Sequence, residues 1–258
     1  MRRLFSKTIM IIKSNYIKPE FKKESNPKVG LLALSTDLTI ERDFSSICHK
    51  LPLDIFVNRI HNENPLTKEN LLKMYEQIQS ITEKILPGEK INTIAYACTS
   101  GTIAIGEDKV KEKIQLAKPD CHVTTPITSA IKAFNKMNIK KVAVFTPYPE
   151  SVNKTISEYL IKKNIEVMSF STFNLDLDVD FARIDPKYLS EVLTKLNIND
   201  ADALFVSCTA LPVLEILDEV EKKINKPVFS SNQTLIWDTI RSVGYKSSIE
   251  GYGKLLRN

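Results

Sequence analysis

Residues 94–114 read IAYACTSGTIAIGEDKVKEKI, and residues 204–224 read LFVSCTALPVLEILDEVEKKI. Aligned on Cys98 and Cys208, the last seventeen positions agree at six: the cysteine, the threonine after it, Asp108 with Asp218, Val110 with Val220, Lys113 with Lys223, and Ile114 with Ile224. Each copy passes from a short apolar run into Cys-Thr and then into a segment of helical character. The pattern is a buried strand ending in a thiol at the mouth of a helix, and it occurs twice. Two such thiols facing each other would form a two-sided acid/base site.

Outward from these motifs, strand-like runs alternate with helical stretches. Val29–Ser35 (VGLLALS) predicts the first strand and 54–59 a weaker second. A helix is expected over 67–86, and a strand over 93–97 leads into Cys98. A strand at 122–125 and a helix at 127–137 follow. The pattern then restarts at KVAVFT (141–146) and ends in the strand before Cys208, the short strand 228–230 and a closing helix over 232–243. Val29 to Cys98 spans 69 residues and Val142 to Cys208 spans 66. Short links between alternating strands and helices argue α/β with parallel sheets. The expected architecture is two similar flavodoxin-like lobes, related by a pseudo-two-fold, with the site in the cleft between them. The expected division is residues 28–133 plus 229–258 for the first lobe and 134–228 for the second, with 1–27 as a surface extension.

In such sheets, sites form at the carboxyl ends of the strands. Those ends carry Ser35-Thr36-Asp37, Cys98-Thr99-Ser100, Thr146-Pro147-Tyr148 and Cys208-Thr209. A helix N-terminus offers unpaired N–H groups and the positive end of the macrodipole. A thiol there is expected to have its pKa lowered from about 8.5 towards neutrality. The same N–H groups, with the hydroxyls of Thr99, Ser100 and Thr209, suit a substrate carboxylate or a developing oxyanion. Gly101 allows close approach of the backbone. The competing reading makes both cysteines ordinary core residues; their repeated Cys-Thr setting argues against it.

Cys48 and Cys121 lack that setting and are assigned structural roles. Each precedes a histidine, but no zinc-ligand spacing is present, and no metal is expected. Without a glycine-rich dinucleotide motif or a P-loop, the chemistry is expected to need no cofactor. The 258 residues are 43% hydrophobic, ample for a packed core, and the four cysteines are not spaced as a disulfide framework. That composition fits a cytoplasmic protein. The net charge of +5 is diffuse, with no basic stripe interleaved with aromatics, so nucleic acid is not an expected partner. No apolar run is long enough to span a bilayer. A homodimer or higher homo-oligomer is the expected assembly.

The motifs ACTSG (97–101) and SCTAL (207–211) resemble the aspartate/glutamate racemase superfamily. More narrowly, they resemble its branch of maleate cis–trans isomerase, arylmalonate decarboxylase and the ectoine-utilisation protein EutA. VGLLALSTDLTIERDF (29–44), VAVFTPYPESVN (142–153) and SFSTFNLDLD (169–178) are similar to the same branch. The resemblance implies a two-lobed α/β fold and catalysis without metal or cofactor. It makes Cys98 and Cys208 the catalytic pair, and Thr99, Ser100, Tyr148, Thr209 and Asn174 groups that hold the substrate. The decarboxylases keep only the second cysteine, so the pair here disfavours simple decarboxylation.

One departure bears on substrate. Maleate isomerases carry Asn where this chain has Asp37. A carboxylate there would repel a second substrate carboxylate and attract a cation. The alternative is that Asp37 caps a helix or turn. The leading expectation is a racemase or epimerase of an amino-acid derivative, in the setting of ectoine breakdown. A maleate-type isomerase or a lyase acting on a small carboxylic acid is the second reading. A non-catalytic small-molecule sensor is the third.

Overall fold

A computed structural model of the chain describes residues 14–21 and 26–258. Residues 1–13 and 22–25 of the expected extension lie outside the described residues; 14–21 carry no helix or strand. Four strands form the first sheet: β1 (Lys28–Leu34), β2 (Asp54–Ile60), β3 (Thr93–Tyr96) and β4 (His122–Thr124). Four more form the second: β5 (Lys141–Thr146), β6 (Glu166–Thr172), β7 (Ala203–Val206) and β8 (Val228–Ser230). The spatial orders are β2-β1-β3-β4 and β6-β5-β7-β8, so the second sheet repeats the first. Every pairing is parallel, and Val29 opposite Thr93 is matched by Val142 opposite Ala203. The expected two-lobed α/β architecture is the one the chain adopts.

The first half carries α1 (Ile40–Cys48), α2 (Lys68–Lys73), α3 (Tyr75–Glu83), α4 (Thr99–Ile105), α5 (Glu107–Ala117) and α6 (Pro126–Lys136). The second carries α7 (Glu150–Lys162), α8 (Asp178–Phe181), α9 (Pro186–Thr194), α10 (Leu217–Ile224), α11 (Ser231–Ser242) and α12 (Lys254–Arg257). β3 and β7 are buried along their whole length, as both faces of a helix-covered parallel sheet require. The helix expected over 67–86 is split into α2 and α3 at Met74. The Gln77 N–H there donates to the Met74 carbonyl at 3.0 Å, three residues back rather than four. Met74 stays buried, so the join is an anchor point and not a loop.

The cleft is bridged from both sides. The Leu66 N–H, in the segment after β2, donates to the Asp176 carbonyl ahead of α8 at 3.0 Å. After β8 closes the second sheet, the chain returns through α11. There the Thr239 hydroxyl pairs with Thr124 of β4 at 2.8 Å.

Candidate active site

The two halves of the sequence repeat differ where the chemistry lies. Cys98 is the extended residue between β3 and α4, and its thiol accepts the Gly101 N–H at 3.2 Å. It is therefore the N-cap of α4, as its sequence setting predicts. Cys208 is not: no helix begins until Leu217, nine positions on. In the first copy, the Thr102 N–H donates to the Cys98 carbonyl at 3.1 Å. The aligned residue in the second copy is Pro212, which has no N–H to give and disfavours helix at Leu211. The matched positions 108–114 and 218–224 do share helices, α5 and α10.

The Cys208 loop is held instead by the opposite lobe. The Thr39 hydroxyl, at the start of α1, donates to the Ala210 carbonyl at 2.8 Å. The Asn232 amide, in the first turn of α11, donates both to the Thr209 carbonyl and to Asp43 Oδ2, each at 2.8 Å. The Thr209 hydroxyl stands near Asp37 and donates to the Ala97 carbonyl at 3.4 Å, beside the first thiol. These bonds set the second thiol against the first lobe without a helix beneath it.

Both thiols are 3% exposed. The expected lowering of their pKa does not occur. Burial pushes Cys98 up to about 12 and Cys208 well above the ordinary thiol range. The Gly101 N–H and Ser100 hydroxyl at Cys98, and the Tyr148 hydroxyl and Ala210 N–H at Cys208, pull the other way without winning. The negative charges of Asp178 and Asp37 add to the upward push on both sulfurs.

Ser100 Oγ is 3.8 Å from Cys98 Sγ. The Thr99 hydroxyl pairs with that of Ser231 at 2.9 Å, tying the thiol turn to α11. Tyr148 is buried with its hydroxyl beside Cys208, close enough to Cys98 to feel its charge. The Pro-Tyr-Pro turn is fixed by the Asn153 amide and Thr172 hydroxyl, which donate to the Tyr148 carbonyl at 2.8 and 2.6 Å. Asn174 lies outside this cluster: it is exposed, with a left-handed φ of 55°, and its side chain belongs to the surface near α7. A turn residue in that conformation, favoured by Asn, accounts for it.

Asp37 combines both sequence readings. Its Oδ1 accepts the N–H groups of Thr39 and Ile40 at 2.7 and 2.9 Å and so caps the entry to α1. Its Oδ2 is buried with no hydrogen-bond partner among the described residues, and burial raises its pKa despite the two N–H donors and the nearby Thr209 hydroxyl.

Sequence reasoning missed Asp178, at the start of α8. Its Oδ2 accepts from the Asn62 amide at 2.8 Å and the Thr36 hydroxyl at 3.3 Å, while Asn62 also donates to Thr36. Burial lifts its pKa to about 6, and the charge of Asp37 adds to that. The segment NLDLDVD holds Asp176, Asp178 and Asp180, and only burial separates the middle one from its neighbours. Cys48 and Cys121 are buried free thiols away from these contacts. Among the described residues, no three His, Cys, Asp or Glu side chains gather as metal ligands, and no helix is long and apolar enough to cross a membrane.

A pair of thiols stands on equivalent strand ends of two parallel α/β lobes, an arrangement suited to an enzyme that works with paired cysteines. The chain belongs to the arylmalonate decarboxylase family, which matches residues 74–256. It is 23% identical over 245 residues to the maleate isomerase of Geobacillus stearothermophilus, covering 89% of this chain and 96% of that one. It is 26% identical over 135 residues to the arylmalonate decarboxylase of Bordetella bronchiseptica, covering 51% and 56% of the two chains. The fold superposes with a TM-score of 0.82 on a Nocardia farcinica maleate cis-trans isomerase variant with a covalently bound succinylcysteine intermediate, at 19% identity, over 90% of this chain and 98% of that one. The protein is an enzyme of this isomerase and decarboxylase group.

Proposed function

We propose that this enzyme is a cofactor-independent racemase or epimerase of an amino-acid derivative, of the kind met in ectoine breakdown. The observation that carries this reading is the pair of buried thiols at matching strand ends, Cys98 in one lobe and Cys208 in the other, with the Asp37 carboxyl bearing on both. A thiolate on one side removes the proton beside the substrate carboxylate. The C–H bonding pair passes into the carboxylate as an enediolate, and the thiol on the other side delivers a proton to the opposite face. Each turnover leaves the two sulfurs with exchanged protonation. Ser100, Thr209 and Tyr148 hold the substrate carboxylate and stabilise the added charge.

The test is proton–deuterium exchange in heavy water, followed by NMR, with both enantiomers of 2,4-diaminobutyrate and its N-acetyl derivatives. Exchange with inversion is expected, abolished or made one-handed by Cys98→Ala and Cys208→Ala. Absence of exchange on the whole panel would sink the racemase.

The similarity to maleate isomerases across nearly the whole chain supports a second reading, maleate-type isomerisation. There the Cys98 thiolate bonds to one alkene carbon while the π pair passes onto the other carbon and its carboxylate; the resulting single bond turns, and the pair returns to re-form the alkene as the sulfur leaves with the C–S bonding pair. Conversion of maleate to fumarate, with an adduct on Cys98 seen by mass spectrometry, would favour it.

A further inference from the structure

Two carboxyl groups stand beside the thiols, supplied by different lobes. Asp37, on the loop after β1, is 1% exposed, and its Oδ2 has no hydrogen-bond partner among the described residues. Asp178, at the start of α8, is 5% exposed. Its Oδ2 is held by Asn62 and Thr36, both from the first lobe, while its Oδ1 accepts no bond among the described residues. The two carboxyls are near enough for the charge of Asp37 to bear on Asp178, and the charges of both bear on both sulfurs.

Among the described residues, no basic side chain pairs with either carboxylate. Arg59, whose charge reaches Asp37, gives its guanidinium to Glu41 at 2.7 Å and to the backbone carbonyls of Leu34 and Asp37 at 3.1 and 2.9 Å. Two buried carboxylates without a basic partner among the described residues, one of them with a buried unpaired oxygen, are costly to leave alone. A ligand cation relieves that cost. A ligand carboxylate adds a third negative charge.

We propose that Asp37 Oδ2 and Asp178 Oδ1 form a clamp for the ammonium group of the substrate, so that the enzyme selects zwitterionic acids and rejects dicarboxylates. This rests on the amino-acid-derivative reading above and adds the residue, Asp178, that completes recognition. The donors of Asn62 and Thr36 keep Asp178 an acceptor and leave one oxygen for the ligand. Because each carboxylate also disfavours thiolate formation, an ammonium in the clamp removes part of the obstacle to ionising the thiols. Substrate binding then activates the base it needs.

The test is calorimetric titration of the intact protein with three probes: 2,4-diaminobutyrate, its diacetyl derivative, which has no ammonium, and maleate. Diaminobutyrate is expected to bind at least roughly tenfold more tightly than either of the others, as a desolvated charge contact should discriminate. Asp178→Asn keeps an oxygen for Asn62 and Thr36 to donate to. It should cost diaminobutyrate about tenfold and improve maleate. Asp37→Asn is the second variant, with circular dichroism to check folding. Maleate bound as tightly as diaminobutyrate by wild type, diaminobutyrate binding unchanged in Asp178→Asn, or no binding of diaminobutyrate at millimolar concentration would each overturn the clamp. Deuterium exchange separates the two ideas. Asp178-dependent binding without exchange leaves the clamp and removes the racemase. Exchange with an unchanged KM in Asp178→Asn does the reverse.

Discussion

The Gly101 N–H donates to the Cys98 thiol at 3.2 Å, and a β-carbon on Gly101 would lie 2.8 Å from that same sulfur. The glycine is thus the sulfur's donor and also the space it occupies. The added carbon would also stand 2.7 Å from Met74 Cε and 3.0 Å from the Tyr96 hydroxyl.

Gly101→Ala should therefore displace the thiol although alanine is the better helix former. Overpacking of this kind costs about 1–3 kcal/mol, more than the ~1 kcal/mol that helix propensity returns. The expected result is a lower Tm and deuterium exchange reduced more than 100-fold, on the order expected for displaced catalytic groups. An alanine variant with full activity would mean the thiol needs no fixed position.

Asn232 should matter to the second thiol without touching the substrate. Its amide joins Asp43 of α1 to the Thr209 carbonyl, each at 2.8 Å, and so fixes the Cys208 loop to the first lobe. Asn232→Ala leaves two buried acceptors unpaired, at about 1–3 kcal/mol each. A fall in kcat with little change in KM is expected from steady-state kinetics, together with slower reprotonation from the Cys208 side. A change in KM alone would assign Asn232 a binding role instead.

Asp43 makes stability depend on pH. Burial raises its pKa to about 7 in the folded protein from 3.8 in the unfolded chain, against the favourable amide of Asn232. Between those values the folded state holds a proton that the unfolded state has lost, so stability falls as pH rises from about 4 to about 7. Asp43→Asn removes this dependence and still accepts from Asn232. Its Tm should exceed that of wild type at pH 8, and the gain should shrink steadily as the pH is lowered towards 4. Parallel pH–Tm curves for the two proteins would show that Asp43 ionises freely.

The thiols predict the shape of the rate profile. Burial raises Cys98 to about 12. So kcat/KM, which reports the free enzyme, should climb through pH 9 instead of levelling at the ordinary thiol pKa of about 8.5. The kcat profile should level at lower pH, because bound substrate compensates the carboxylates beside the thiols. A kcat/KM plateau near pH 7 would mean that a thiolate already rests in the free enzyme.

The fold was legible because its signals are local. Apolar runs such as KVAVFT mark buried parallel strands by themselves, and the repeat around Cys98 and Cys208 records two lobes with the same strand order. The cap at Cys98 was legible as well. The helix mouth expected at Cys208 does not form, because Pro212 cannot supply the N–H that Thr102 does. Ionisation was not legible. The direction of the thiol shifts depends on burial and on carboxylates that arrive from other elements, and a helix N-terminus considered alone points the wrong way. Asp178 is indistinguishable in sequence from Asp176 and Asp180; only the docking of α8 against Asn62 and Thr36 buries it, while Asp176 stays exposed and Asp180 half-buried. Periodicity and strand ends belong to neighbouring residues, so the sequence determined the lobes and the thiol pair. Desolvation and Coulomb interactions belong to groups brought together from distant positions, so only the tertiary structure decided what surrounds those thiols and how they ionise.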